Sequence, residues 1–121
     1  REIMTIHEVS EGYGIPMEIL REYEGWGLKQ SKGPGQYGHG DLEQLSLMMT
    51  LYDIGFTADE VKFYLGLQLK GEATESMRLQ ILDQKRAAVL DAIHCREKQL
   101  DRLDYLRHEL RRKTRQTKFL G

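Results

Sequence analysis

The chain has 121 residues, room for about one domain of ordinary size, and its 40% apolar and 31% charged content fits a folded chain and excludes general disorder. No apolar run approaches the roughly 20 residues a bilayer span takes, since the longest, around 45–51, is broken by Ser46 and Thr50, and the lone Cys95 excludes an internal disulfide framework. The net charge of −1 hides a division: residues 1–75 carry six Lys and Arg against thirteen Asp and Glu, while residues 76–121 carry twelve against six, so an acidic head precedes a basic tail.

Along the chain, Ile6, Val9, Ile15, Ile19 and Leu20 follow helix-compatible steps interrupted at Gly12-Tyr13-Gly14. The spacing predicts two short helices around a tight turn, with Pro16 in the first turn of the second, and so a helix-turn-helix over about 5–24. Residues 29–40 hold four glycines and Pro34, which predicts a loop or a small β-hairpin. Asp41 is expected to act as N-cap of the next helix, with Leu42, Leu45, Met48, Met49 and Tyr52 on one face. Gly55-Phe56 stops that helix, and Thr57 with Glu60 forms a capping box that starts another through Val61, Tyr64 and Leu65.

From about Thr74 the chain has no Gly or Pro until Gly121, which predicts one long helix. With Leu79 as heptad position a, Leu82, Val89, Ile93, Leu100, Leu103 and Leu110 fall on a and d, interrupted by Arg86, Arg96 and Arg107. Such a row needs a partner helix, so these six residues are the candidate dimerisation surface.

The ordered set Thr5-Ile6, Glu8-Val9, Gly14-Ile15, Leu20-Arg21, Tyr23-Glu24 and Gly27-Leu28, followed by Tyr37, Asp41-Leu42, Leu45, Ile54-Gly55-Phe56, Thr57, Glu60-Val61 and Leu65, resembles the MerR family of transcriptional regulators over about residues 4–67. The resemblance implies a mainly α fold, with a winged helix-turn-helix head at 4–70 and a coiled-coil dimerisation helix at 75–115 antiparallel to that of a second subunit; residues 116–121 are expected to form a disordered tail. It implies a homodimer that binds and distorts double-stranded promoter DNA; RNA polymerase is a further candidate partner, through the acidic head. Arg21 stands where the family contacts the phosphate backbone, though it can also pair with Glu18 or Glu24; Tyr23 can reach a phosphate or pack inward; Met17 and Glu18 lie where base edges are read. In the wing, Lys29, Lys32 and Tyr37 complete the candidate DNA-binding set. Two departures stand out: Glu22 replaces an aromatic, and Gly33-Pro34-Gly35-Gln36-Tyr37 lacks the wing arginine.

No Ser-His-Asp, Cys-His or phosphate-cradling arrangement is visible, so no catalysis and no cofactor are expected. His94 and Cys95 point about 100° apart on a helix and make poor ligands for one metal ion, and no metal site is expected. Trp26, Tyr52, Phe63 and Tyr64 read as core, or as the lining of an effector gap. The basic end of the long helix is a solvated terminus or a contact for DNA, anionic lipid or the acidic head of a partner subunit. Without a basic-then-apolar leader the expected address is the cytoplasm. A second functional reading, from the acid-rich head, is a protein-interaction module with weak or no DNA binding.

Overall fold

The structure, a computed structural model, describes residues 3–33 and 35–120, with side chains to residue 116. Its elements in order are β1 (Met4–Thr5), α1 (Ile6–Tyr13), α2 (Met17–Gly25), β2 (Gln36–Tyr37), α3 (His39–Ile54), α4 (Ala58–Lys70), a 3₁₀ turn (Gly71–Thr74) and α5 (Glu75–Leu120). Residues 1–78 form one compact unit and residues 79–121 a second.

In the first unit each helix boundary has a local chemical cause. Thr5 caps α1, its hydroxyl accepting from the Glu8 amide at 3.2 Å while the Glu8 carboxylate accepts from the Thr5 amide at 3.0 Å. Gly14, left-handed at φ 66°, ends the helix, and the Ser10 hydroxyl donates to the Ile15 carbonyl across the turn at 2.8 Å. The same box recurs with Thr57 and Glu60 at α4. Left-handed Gly55 closes α3, so the Phe56 amide can donate to the Leu51 carbonyl. Pro16 sits at the cap position just before α2, one place earlier than expected.

The core is where these elements meet. Val9, Leu20, Tyr23, Leu45, Met48 and Leu65 are fully buried, and Phe56 meets Tyr64 edge to face at 6.3 Å. On α3 the buried stripe is Asp41, Gln44, Leu45, Met48 and Leu51, rotated from the expected one, so that Leu42, Met49 and Tyr52 lie half-buried at its edge. The rotation follows from Asp41, which enters the core. Of the four aromatics expected in the core only Tyr64 is buried; Trp26 and Tyr52 are half-buried, and Phe63 is 57% exposed. Phe63 lies with Leu28, Gly66 and Leu67 in a shallow groove rimmed by Asp59, Lys62 and Lys70.

Of the loop and hairpin alternatives for 29–40, a loop forms whose final strand, β2, pairs antiparallel with β1, Met4 opposite Tyr37 and Thr5 opposite Gln36. At the far end of the unit, the Arg78 guanidinium donates to Thr74 Oγ1 at 3.0 Å, to the Gly71 carbonyl at 3.2 Å and to Gln68, fastening the first turn of α5 to α4.

The second unit is the rest of α5, a 46-residue helix in all and so about 69 Å long at 1.5 Å per residue. It runs to Leu120, beyond residue 116 where the sequence suggests an irregular tail; the side chains of 117–120, and Gly121 altogether, lie outside the described residues. Among the described residues no helix is long and apolar enough to cross a membrane.

Candidate nucleic-acid interface

The second helix of the helix-turn-helix has two unlike faces. Leu20 and Tyr23 are fully buried, whereas Pro16, Glu18, Arg21 and Gly25 are exposed and Met17 and Glu22 half-exposed. Spacings of three and four gather Glu18, Arg21 and Gly25 on one outward stripe. Among the described residues Arg21 has no ion-pair partner: Glu24, one of its two candidates, instead accepts from the Tyr37 hydroxyl at 2.6 Å. A guanidinium on an exposed helix face, unclaimed by any described residue, is suited to bidentate hydrogen bonding with phosphate.

Behind this face lies a group that sequence reasoning placed wrongly. Asp41 is the third residue of α3, not its N-cap, which is Gly38. Its carboxylate, 0% exposed, accepts four hydrogen bonds. Oδ1 takes the Tyr23 hydroxyl and the Gln30 amide, both at 2.7 Å; Oδ2 takes the Ser31 amide at 3.1 Å and the Gly38 amide at 3.2 Å. One side chain thus ties α2, the wing loop and the start of α3 together. Burial opposes the charge, but these donors outweigh it and hold the carboxyl below its ordinary value.

Tyr23 and Tyr37 are corrections to the DNA-binding set. Both are fully buried. The Tyr23 hydroxyl lies 2.7 Å from Asp41 and 3.3 Å from the Leu28 carbonyl, so it fixes the wing and is turned away from any phosphate. Burial first, and then the carboxylate each one faces, push both phenols well above the ordinary tyrosine range.

Lys29 is a third correction. Its ammonium donates to the Gln36 carbonyl at 2.7 Å and to the Gly33 carbonyl, and stands 5.4 Å from the centre of the Tyr37 ring. It closes the wing loop from within. Lys32, by contrast, is exposed, so Arg21 and Lys32 are the cations of the expected set left facing solvent. Glu22 is also engaged: it accepts from the Tyr52 hydroxyl on α3, and burial followed by this bond pushes the Tyr52 phenol up to about 12.

The arrangement of two short helices, a paired wing strand and an exposed second-helix face has a known counterpart. A family model described as MerR HTH family regulatory protein matches residues 4–67, more than half of the chain. The chain belongs to the MerR family. It is a DNA-binding transcriptional regulator of the MerR type, a family without enzymatic activity. An uncharacterised HTH-type transcriptional regulator of Haemophilus influenzae is 28% identical over 106 residues, which cover 84% of this chain and 78% of that one. Among solved structures, HiNmlR, a MerR family regulator lacking the sensor domain and bound to promoter DNA, matches with a TM-score of 0.64 at 27% identity, over 85% of this chain and 86% of its own. A MerR family regulator from Bacillus thuringiensis shares the fold, with a TM-score of 0.61 at 24% identity over 84% of this chain and 94% of its own.

Within this MerR-type head, the residues that sequence alone missed are those that fix the interface without facing it. Asp41 carried one signal, an acid in the first turn of a helix directly behind a Gly-His-Gly run. Its link to Tyr23 and to the wing amides had none, because those partners lie 10 to 18 residues away.

Proposed function

We infer that this chain acts as a homodimer on double-stranded promoter DNA, with the outward stripe of α2 entering the major groove. Met17 and Glu18 then lie at the base edges, where a carboxylate can accept from a cytosine amine, and Arg21 and the wing's Lys32 hold phosphates on either side. The observation that carries this reading is the exposed Arg21, without an ion-pair partner among the described residues, on a helix whose opposite face is locked into the core. The promoter DNA held by HiNmlR supports it from outside the chain. A two-fold dimer matches a two-fold operator, and the exposed seam of α5 is the surface that would join the subunits. Such a regulator works in the cytoplasm, beside RNA polymerase, which is a second partner on this reading.

The test is binding to a duplex of random sequence as salt is varied. Retention at low salt that falls with a steep log–log slope, about 0.9 for each phosphate neutralised, is expected. No retention at very low salt removes the DNA-binding reading. It would leave the protein-interaction module, which the thirteen acidic residues of the head and the internal use of Lys29 favour.

A further inference from the structure

Helix α4 buries Val61, Tyr64, Leu65 and Leu67 in the head, yet the side next to this face also carries apolar surface. Phe63 is 57% exposed and lines a shallow groove with Leu28, Gly66 and the edge of Leu67. An exposed ring joined to other apolar side chains and rimmed by charge has the composition of a docking surface.

Gly66 points the same way. Glycine inside a helix destabilises it relative to alanine, and a Cβ at Gly66 would have nothing within 4 Å. The packing of the head therefore does not require a glycine there. What the glycine provides is a notch between Phe63 and Lys70, where the backbone of α4 is open to close approach from outside.

The spacing describes the occupant. Asp59, Lys62, Phe63, Gly66 and Lys70 recur at steps of three and four and so share one stripe of α4. Lys62 and Lys70 are exposed, and neither has an ion-pair partner among the described residues. Lys70 follows Lys62 by eight positions, about 12 Å along the axis, with the apolar notch between them. A helix lying along α4 matches this with two acids about seven positions apart and aliphatic residues midway, the way a short amphipathic helix enters an apolar groove. At about 320 Å³ the groove stands at the lower end of the roughly 300–1,000 Å³ of ligand pockets, and its shallowness suits the side chains of such a helix more than an enclosed small molecule.

Charge separates the candidate occupants. Residues 98–116 of the long helix carry seven Lys and Arg against three Asp and Glu, so that part of a second copy would bring cations to two lysines. A phosphate backbone would meet the lysines but leave the Phe63 ring in water. We propose that the groove docks an acidic amphipathic helix of a partner protein, its carboxylates on Lys62 and Lys70 and its aliphatic side chains over Gly66 and against Phe63.

The probe is a synthetic helical peptide of Ala and Gln with two Glu about seven positions apart and a pair of Leu midway. It is labelled and titrated by fluorescence anisotropy with the full chain, beside a control peptide that has Lys in place of Glu. Saturation of the acidic peptide below about 1 mM protein, and none of the basic one, is expected. Lys62→Glu combined with Lys70→Glu is expected to weaken the acidic peptide by about tenfold or more and to bind the basic one, and Phe63→Ser to lose the acidic peptide. All three substitutions change exposed side chains, and the charge swap decides alone if Phe63→Ser unfolds. Equal binding of the two peptides by the parent, or no binding of the acidic one, overturns the proposal. A smaller salt slope for the lysine variant in the duplex titration overturns it in favour of DNA. Conversion of a dimeric parent to monomer by Phe63→Ser, read by sedimentation, overturns it in favour of a second copy.

Discussion

Replacing Asp41 with Asn changes one atom of a buried side chain and probes the link between wing and recognition helix. The carboxylate accepts from two donors on each oxygen. In the variant the amide nitrogen replaces Oδ2 and faces the Ser31 and Gly38 amides, 3.1 and 3.2 Å from that position, so two donor–acceptor pairs become donor–donor pairs; the other amide orientation sets a donor against the Gln30 amide. A hydrogen bond to a charged group is worth about 1.5–3 kcal/mol; the better orientation loses one outright and weakens the other three by removing the charge, which gives a destabilisation of about 3 kcal/mol. That is a large part of the roughly 5–15 kcal/mol that keeps a small domain folded, and it corresponds to a fall in Tm of about 15 °C. Trp26, the single tryptophan, sits half-buried at the end of α2, so urea unfolding followed by its fluorescence reports on the head. A variant within about 0.5 kcal/mol of the parent would refute the reasoning, because surface substitutions alone span that range. The sign with pH follows from the lowered carboxyl. Its ordinary value is 3.8, and the folded chain holds its proton less tightly than the unfolded one. The contribution of Asp41 is therefore complete above about pH 5 and is lost as pH falls through the folded value, where parent and variant converge.

Three further outcomes are expected. Arg21→Ala lowers affinity for all DNA sequences alike and reduces the salt slope by about one unit, as measured in the titration above; an unchanged slope removes Arg21 from the interface. Tyr37→Phe leaves that slope unchanged and lowers the stability of the head by about 1–2 kcal/mol, since it leaves Glu24 without its hydroxyl donor; a changed slope with intact stability would return Tyr37 to the DNA. Leu100→Asp places a carboxylate in the seam and converts the dimer to monomer in sedimentation at micromolar concentration, and a dimer that persists refutes the seam.

Legibility in the sequence followed the range of the interactions. The capping box of Thr57 and Glu60, its counterpart at Thr5 and Glu8, and the stop at Gly55 are bonded within five residues and fall where their residue types imply. The buried Tyr37, the inward Lys29 and the wing role of Asp41 were not legible, and the inward packing of Tyr23 was one of two open alternatives, because each depends on how a glycine-rich loop folds back. A lysine in such a loop looks alike whether it meets a phosphate or its own carbonyls. In Lys29 the backbone curls so that two carbonyls, of Gly33 and Gln36, converge on the ammonium. Phe63 was misplaced for a related reason: its neighbours Tyr64 and Leu65 satisfy the buried face of α4, and helical periodicity turns position 63 outward.

The stitching of the wing by Asp41 and Lys29 has a thermodynamic consequence. A recognition loop that is loose in the free protein must be ordered when it docks, and that ordering subtracts from affinity at roughly 0.5–1.5 kcal/mol for each immobilised side chain. Here the amides of Gln30, Ser31 and Gly38 and the carbonyls of Gly33 and Gln36 are already bonded within the protein before any DNA arrives. The head therefore meets its target as a preshaped die, and the heat-capacity change on binding reflects the surface covered and any bending of the duplex, with no contribution from folding of the wing.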